Sequence, residues 1–166
     1  MELLRNIYES SVSGPQGEVW FELFGKYIQF GVEEEATLEY VKACAEYLNA
    51  LPEATIKDLC EASIRYCNGF LADIGEPLKS FDNYKSVLSL IYPSTLIIPE
   101  PEYGDEPVIW MELNCEWEQE HGMQWVVRNN EVLYVGGFNG TDPWAEISKS
   151  TPCAYSGERD RSFRGS

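Results

Sequence analysis

The strongest candidates for chemistry in this chain lie within one short acidic segment. They are Glu116, Glu118, Glu120 and His121. Alternate positions of an extended segment project to the same side, so the three carboxylates could converge, joined by Asp105 or Asp142 from loops. Such oxygen-rich clusters suit divalent cations, and one hypothesis is therefore a metal-dependent (Ca, Mn or Zn) hydrolase or a cation-binding domain. The same alternation is also typical of a solvated strand face, and no Asp-x-Asp-x-Asp-Gly calcium loop is present, so we assign no metal ligand.

Nucleophilic chemistry has little support in the sequence. His121 is the only histidine, so it would have to serve any thiol dyad with Cys115. Cys115 falls on the apolar side of its predicted strand, whereas reactive cysteines need an electropositive, accessible setting. The Gly-rich segment 136–140 matches no phosphate-binding loop, and no Gly-x-Ser-x-Gly elbow occurs. We therefore expect a protein that is not an enzyme and needs no cofactor.

Charge points instead to a binding surface. No Lys or Arg lies between Lys85 and Arg128, yet residues 100–120 carry eight carboxylates. The whole chain has 28 acidic and 12 basic side chains, for a net charge of −16. This disfavours nucleic acid and anionic membranes and favours a basic protein partner, because opposed fields speed encounter. The predicted contact residues are Trp110, Glu112, Glu116, Glu118 and Glu120, with Asp105 and Glu106 at the rim.

Length and composition predict one globular domain over residues 1–150, followed by a flexible tail over 151–166. The 44% hydrophobic fraction is enough for a real core. The N-terminus lacks a leader pattern, and no apolar run approaches the roughly 18 residues of a spanning helix. Five cysteines without a Cys-x-x-Cys pair indicate reduced thiols. We expect a cytoplasmic protein, whose oligomeric state the sequence leaves open.

The sequence of the first half of the chain predicts a hairpin followed by helices. Alternating apolar residues predict strands over 18–24 and 27–32. Thr37 can cap a first helix, and Pro52 can open a second helix that stops before Gly75. A shorter helix is predicted from Asp82, with Ile91 facing inward and Pro93 ending it.

The sequence of the second half of the chain predicts strands, the first two of which are joined by an acidic loop. A short strand is predicted over 96–98, and the clearest strand in the chain over 109–118, where Trp110 and Glu112 fall on the acidic face. Strands over 123–128 and 131–136 flank Asn129-Asn130, whose chemistry suits a type I′ turn. The fold is therefore predicted to be α+β. It has an antiparallel sheet of about five or six strands, packed on one face by two or three helices inserted between an N-terminal hairpin and a C-terminal meander.

Residues 115–136 resemble a Trp-x-x-Glu-His-Gly plus hairpin pattern of small bacterial domains of unknown function, through the run from Trp117 to Gly122. Residues 19–75 are similar in plan to the same domains. The resemblance implies a cytoplasmic protein encoded near a secreted toxin and a role in immunity, and it supplies no catalytic residue. The leading hypothesis is thus an immunity protein that covers the active surface of a basic toxin such as a nuclease. A structural subunit whose acidity serves only solubility is a further alternative.

Overall fold

Seven strands form one sheet in the computed structural model, which describes residues 2–9, 14–33, 35–101 and 104–144. The strands are β1 (Leu4–Glu9), β2 (Pro15–Phe21), β3 (Lys26–Val32), β4 (Ile91–Ile98), β5 (Val108–Cys115), β6 (Met123–Arg128) and β7 (Glu131–Gly137). Strand order in the sheet follows chain order, and every neighbouring pair is antiparallel except β3 and β4. The α+β class is confirmed, but the described sheet has seven strands rather than five or six.

Helices supply the crossover that the parallel pair β3–β4 requires. They are α1 (Leu38–Leu48), α2 (Glu53–Asp73) and a 3₁₀ helix (Tyr84–Leu90). The Thr37 side chain accepts a hydrogen bond from the backbone N–H of Tyr40 at 3.1 Å, which confirms the predicted cap. Gly75, at φ +76°, lies just beyond the end of α2, in the left-handed region that glycine adopts without strain.

Strand β1, at one edge of the sheet, is the strand that the sequence did not predict. Its residues after Leu4 are all exposed, so no apolar alternation marks it in the sequence. Asn6 adopts a left-handed φ of 54°, and the pairing of β1 with β2 shifts register between Arg5 and Tyr8. An edge strand with a bulge and charged side chains is a common protection against unwanted pairing, and it carries little sequence signal.

The shorter helix is a 3₁₀ helix and ends earlier than predicted. Ile91 and Pro93, expected to close a helix, instead belong to β4. Pro93 has no N–H for the ladder, and the pairing of β4 with β5 shifts register between Pro93 and Thr95. The predicted strand over 96–98 is thus only the end of a longer one.

The predicted hairpins are confirmed with changed bounds. Gly25, at φ +63°, turns β2 into β3, and its N–H donates to the Phe21 carbonyl at 2.9 Å. Asn129 and Asn130 have φ of 55° and 62°, as a type I′ turn between β6 and β7 requires. Strand β5 begins at residue 108 and ends at Cys115, before the Glu116–Glu120 segment.

The helices cover one face of the sheet, where α1 packs on β2 and β5 and α2 packs on β7. Core side chains such as Val19, Phe30 and Met111 point to that layer and are almost fully buried. We call the other side the open face. The residues on it that matter below are Arg5, Glu18, Trp20, Tyr27, Tyr92, Thr95, Trp110, Glu112, Gln124 and Arg128.

Two expectations concern the chain as a whole. The predicted flexible tail over residues 151–166 lies outside the described residues, as does the last part of the predicted domain. Within the described ranges, neither α1 nor α2 combines the length and the apolar character that a membrane-spanning helix needs.

Candidate functional site

The predicted contact residues do not form one surface, because β5 separates them. Asp105 and Glu106 precede β5, and Glu116 and Glu120 follow it. Eight residues at about 3.3 Å each put the two groups roughly 25 Å apart. Only Glu112 lies between them, so the acidic segment that is continuous in sequence becomes two separate clusters at the two ends of the strand.

Trp110 is a predicted contact residue on the acidic face of β5, and the structure places it on that face but buries its side chain. The side chain lies on the open face, paired across the sheet with Val126, but it is only 6% exposed. The reason is the loop after β7. Gln124 and Arg128, which flank Val126, both bind this loop through the carbonyls of Thr141 and Pro143, so the loop lies across the open face at this point.

Gln124 holds that loop with three hydrogen bonds. Its amide nitrogen donates to the Thr141 carbonyl at 2.9 Å, and its side-chain oxygen accepts from the backbone N–H groups of Asn139 and Gly140 at 3.2 Å each. Gln124 itself is fully buried. The Arg128 guanidinium also lies over the Trp144 ring, 5.9 Å from its centroid.

Glu112 is the predicted contact residue whose environment is most unusual. It lies half-buried on the open face between Thr95 of β4 and Gln124 of β6. The Gln124 amide is bonded to the loop, and the Thr95 hydroxyl lies 3.1 Å from that of Ser94. Among the described residues, the Glu112 side chain has no hydrogen-bond or ion-pair partner. A carboxylate in this setting favours a donor from outside the fold.

Glu118 and His121 form a local pair. The Glu118 carboxylate accepts from the backbone N–H of His121 at 2.8 Å and lies 2.7 Å from its Nδ1. The backbone N–H and then the imidazole of His121 lower the pKa of Glu118 below its usual range. In turn, the hydrogen bond to Glu118 raises the pKa of the His121 imidazole above 6.5. This pairing stabilises the turn that connects β5 to β6.

A possible cation site is smaller than the predicted one. One ligand atom from each of Glu118, Glu120 and His121 lies within 4.8 Å of the others. Glu116 is not part of this group, since its carboxylate accepts from the Tyr92 hydroxyl. The predicted loop ligands do not join it either: Asp105 lies at the other end of β5, and Asp142 accepts from the backbone N–H of Trp144 at 2.8 Å.

The thiol dyad is not assembled. Cys115 is 2% exposed, and its S–H donates to the Glu118 carbonyl at 3.4 Å. Burial raises the pKa of this thiol to about 11. The His121 imidazole is bonded to the Glu118 carboxylate instead. Cys115 is therefore a core residue in a local hydrogen bond.

A second acidic cluster, which the sequence did not reveal, lies at one end of the sheet. Its carboxylates are those of Glu33, Glu35, Glu39, Glu100, Asp105 and Glu106, and we call it the acidic end. The parallel pairing of β3 with β4 brings residues 33 and 100 to the same end, where the Glu33 N–H donates to the Ile98 carbonyl at 2.8 Å. The Tyr40 hydroxyl of α1 donates to the Glu106 carbonyl at 2.7 Å, and this bond brings in the third segment.

The described cations are distributed unevenly between the two sides. Five belong to the helices or the segments between them: Lys42, Lys57, Arg65, Lys79 and Lys85. Lys26 lies at the tip of the β2–β3 hairpin. Arg5 and Arg128 lie on the open face and are both engaged, Arg5 with Glu18 at 2.7 Å and Arg128 with the loop. A shallow groove of about 370 Å³ between α2 and the β6–β7 turn is also acidic, but Arg65 lies within it.

These features define an α+β domain with an acidic end and an open sheet face, in which the described residues assemble neither a triad nor a thiol dyad. The chain belongs to the DUF6985 family, a domain of unknown function, whose model matches residues 6–143. None of the curated proteins and none of the solved structures compared with the chain gives a significant match.

Proposed function

We propose that this protein is a non-enzymatic binding protein that neutralises a basic protein toxin, such as a nuclease, by covering its active surface. The observation that carries the proposal is the segregation of charge. Both described cations on the open face are already bonded within the fold, whereas exposed carboxylates such as Glu33, Glu35 and Asp105 gather at the acidic end, where the nearest described basic residue along the chain is Lys42 of α1.

Electrostatics makes a basic partner the best fit for such a surface. Clustered carboxylates repel each other and raise the free energy of the isolated fold, and a cationic partner relieves that repulsion. Complementary charge also raises the association rate and suppresses wrong partners. An inhibitor that must capture a toxin before it acts gains directly from fast association. The resemblance of residues 115–136 to domains encoded near toxins points the same way.

The direct test is co-expression with the protein encoded by the adjacent gene, followed by affinity purification at low and at moderate salt. A stoichiometric complex with a basic protein, whose toxic activity is lost in the complex, is the expected result. The association rate should fall steeply as salt rises, because the exposed charges are screened. A partner that is acidic or neutral, or one that remains fully active when bound, would refute the proposal.

Charge reversal distinguishes a recognition surface from acidity that serves only solubility. Glu39→Lys combined with Asp105→Lys should slow association with the partner several-fold at low salt and leave the dissociation rate nearly unchanged. Asp73→Lys combined with Glu76→Lys, at the end of α2 and just after it, is the matched control, because it reverses the same number of charges at exposed sites away from the acidic end. If both variants alter only solubility, the acidity is a surface device and not a recognition surface.

Cation binding by Glu118, Glu120 and His121 is the second candidate, favoured by the 4.8 Å grouping of their ligand atoms. Calorimetric titration with Ca²⁺, Mn²⁺ and Zn²⁺ tests it. Binding tighter than about millimolar that is lost in Glu120→Gln would support a cation site. Glu116→Gln is the control, because Glu116 is bonded to Tyr92 and lies outside the group.

A further inference from the structure

We infer that the open face of the sheet around Glu112 is the docking surface for a cationic segment of the partner, with a Lys or Arg side chain placed against the Glu112 carboxylate. The inference rests on the proposed function and names the surface that carries it out. It differs from the sequence-based contact face, because the neighbours of Glu112 on this face come from β4 and β6 and not from one acidic segment.

Glu112 supplies the specific contact. Its carboxylate is half-buried, so it has lost part of its hydration, and no described residue donates a hydrogen bond to it. An unsatisfied, partly buried charge is costly, whereas a charge-assisted hydrogen bond to it is stronger than one in open water. A cationic side chain arriving at this position therefore gains more than it would at a fully exposed carboxylate.

One aromatic side chain, Tyr92, lies near this position, and others lie farther along the same face. Tyr92 of β4 is 44% exposed and is paired with Asn114, the next residue after Glu112 on the open face of β5. Farther along, Trp20 and Tyr27 pack edge-on with their ring centroids 5.1 Å apart. Aromatic faces attract Lys and Arg side chains, especially where water is partly excluded.

The fold already contains one example of this mode of recognition. The Arg5 guanidinium lies 3.6 Å from the centroid of the Tyr27 ring and at the same time is paired with Glu18 at 2.7 Å. Glu112 and Tyr92 offer a second carboxylate and ring on the same face, with no described cation between them. Charge complementarity therefore selects a partner segment rich in Arg or Lys.

Neither the acidic end nor the groove beside α2 offers the same contact. The carboxylates of the acidic end lie mostly on exposed segments and stay hydrated. The groove beside α2 contains its own cation, Arg65, which would compete with or repel a basic partner. The acidic end can steer a partner from a distance, whereas Glu112 can bind one side chain in place.

The test uses the ¹⁵N-labelled protein titrated with a short peptide of alternating Lys and Gly, with the corresponding Glu and Gly peptide as control. Amide shifts should map to β4 and β5 around Glu112. Glu112→Gln keeps the shape of the side chain and should weaken binding of the basic peptide about tenfold, while Tyr92→Leu should weaken it about threefold. Glu46→Gln removes the same charge from an exposed site on α1 and should change it less than twofold.

The outcomes separate the surface from the function. Shifts centred on the acidic end, or equal effects of Glu112→Gln and Glu46→Gln, would overturn the open face as the docking surface and leave the basic partner in place. No binding of the Lys peptide at low salt would also overturn the open face as the docking surface, whereas the proposed function is refuted by the co-expression result and not by this peptide. Circular dichroism of each variant checks that the fold is retained.

Discussion

Substitution of Gln124 should change the free energy of unfolding by an amount that follows directly from its hydrogen bonds. Replacing it with Leu, of similar size, removes three hydrogen bonds to the loop after β7. At about 1 kcal/mol each the loss is about 3 kcal/mol, and burial of the extra apolar surface recovers about 1 kcal/mol. We expect Gln124→Leu to lower the free energy of unfolding by about 2 kcal/mol, which is a fall in Tm of roughly 4–8 °C.

Urea unfolding measures the predicted loss of stability, and hydrogen exchange measures the loss of the bonds to the loop. The backbone N–H groups of Asn139 and Gly140 donate to Gln124, so their exchange should accelerate about thirtyfold, as a loss of about 2 kcal/mol implies. Gln29→Leu is the matched control, since Gln29 is exposed on β3 and should change stability by less than about 0.5 kcal/mol. Equal stability of the two variants, or unchanged exchange at Asn139 and Gly140, would refute the role assigned to Gln124.

Three further predictions concern single groups. The hydrogen bond between Glu118 and His121 raises the pKa of His121 and lowers the pKa of Glu118, so it stabilises the fold fully between about pH 4.5 and 6.5. This stabilisation weakens as the pH rises through the His121 pKa or falls through the Glu118 pKa. The imidazole resonance should titrate above 6.5 in the wild type and closer to 6.5 in Glu118→Gln. Ser63→Ala should cost about 1–2 kcal/mol in urea unfolding, because the buried Trp125 indole N–H donates to Ser63 at 3.0 Å, whereas Ser89→Ala on the exposed 3₁₀ surface should be nearly neutral. The four described cysteines are buried, so a thiol reagent should modify them only on unfolding, and fast native labelling at any of them would contradict the structure.

Much of the fold follows from local signals in the sequence. The helices have caps and stops that act over a few residues, such as Thr37 and Gly75, and the structure confirms both helices. The β6–β7 turn is specified by Asn129-Asn130 in the same local way. Strand β1 has no such signal, because it is an exposed edge whose pairing depends on β2 and not on its own apolar pattern.

The candidate site was less predictable because it depends on contacts between distant segments. The exposure of Trp110 is decided by a loop near residue 141, which Gln124 holds in place. The acidic end is formed by segments near residues 33 and 105, joined by Tyr40 and the parallel pairing of β3 with β4. Alternation along one strand gives the side of the sheet on which a residue lies, and it did so for Trp110 and Glu112, but it cannot tell what else covers that side.

The separation of the acidic clusters has a consequence for how a basic partner would bind. Exposed carboxylates are screened within about 8 Å at physiological ionic strength, so those of the acidic end act mainly on the association rate and lose their effect as salt rises. Glu112 is half-buried, and its contact with a cation would be screened less and would act mainly on the dissociation rate. Salt and Glu112→Gln should therefore affect different rate constants for the same complex. A single contiguous acidic face would instead make both perturbations act mainly on association.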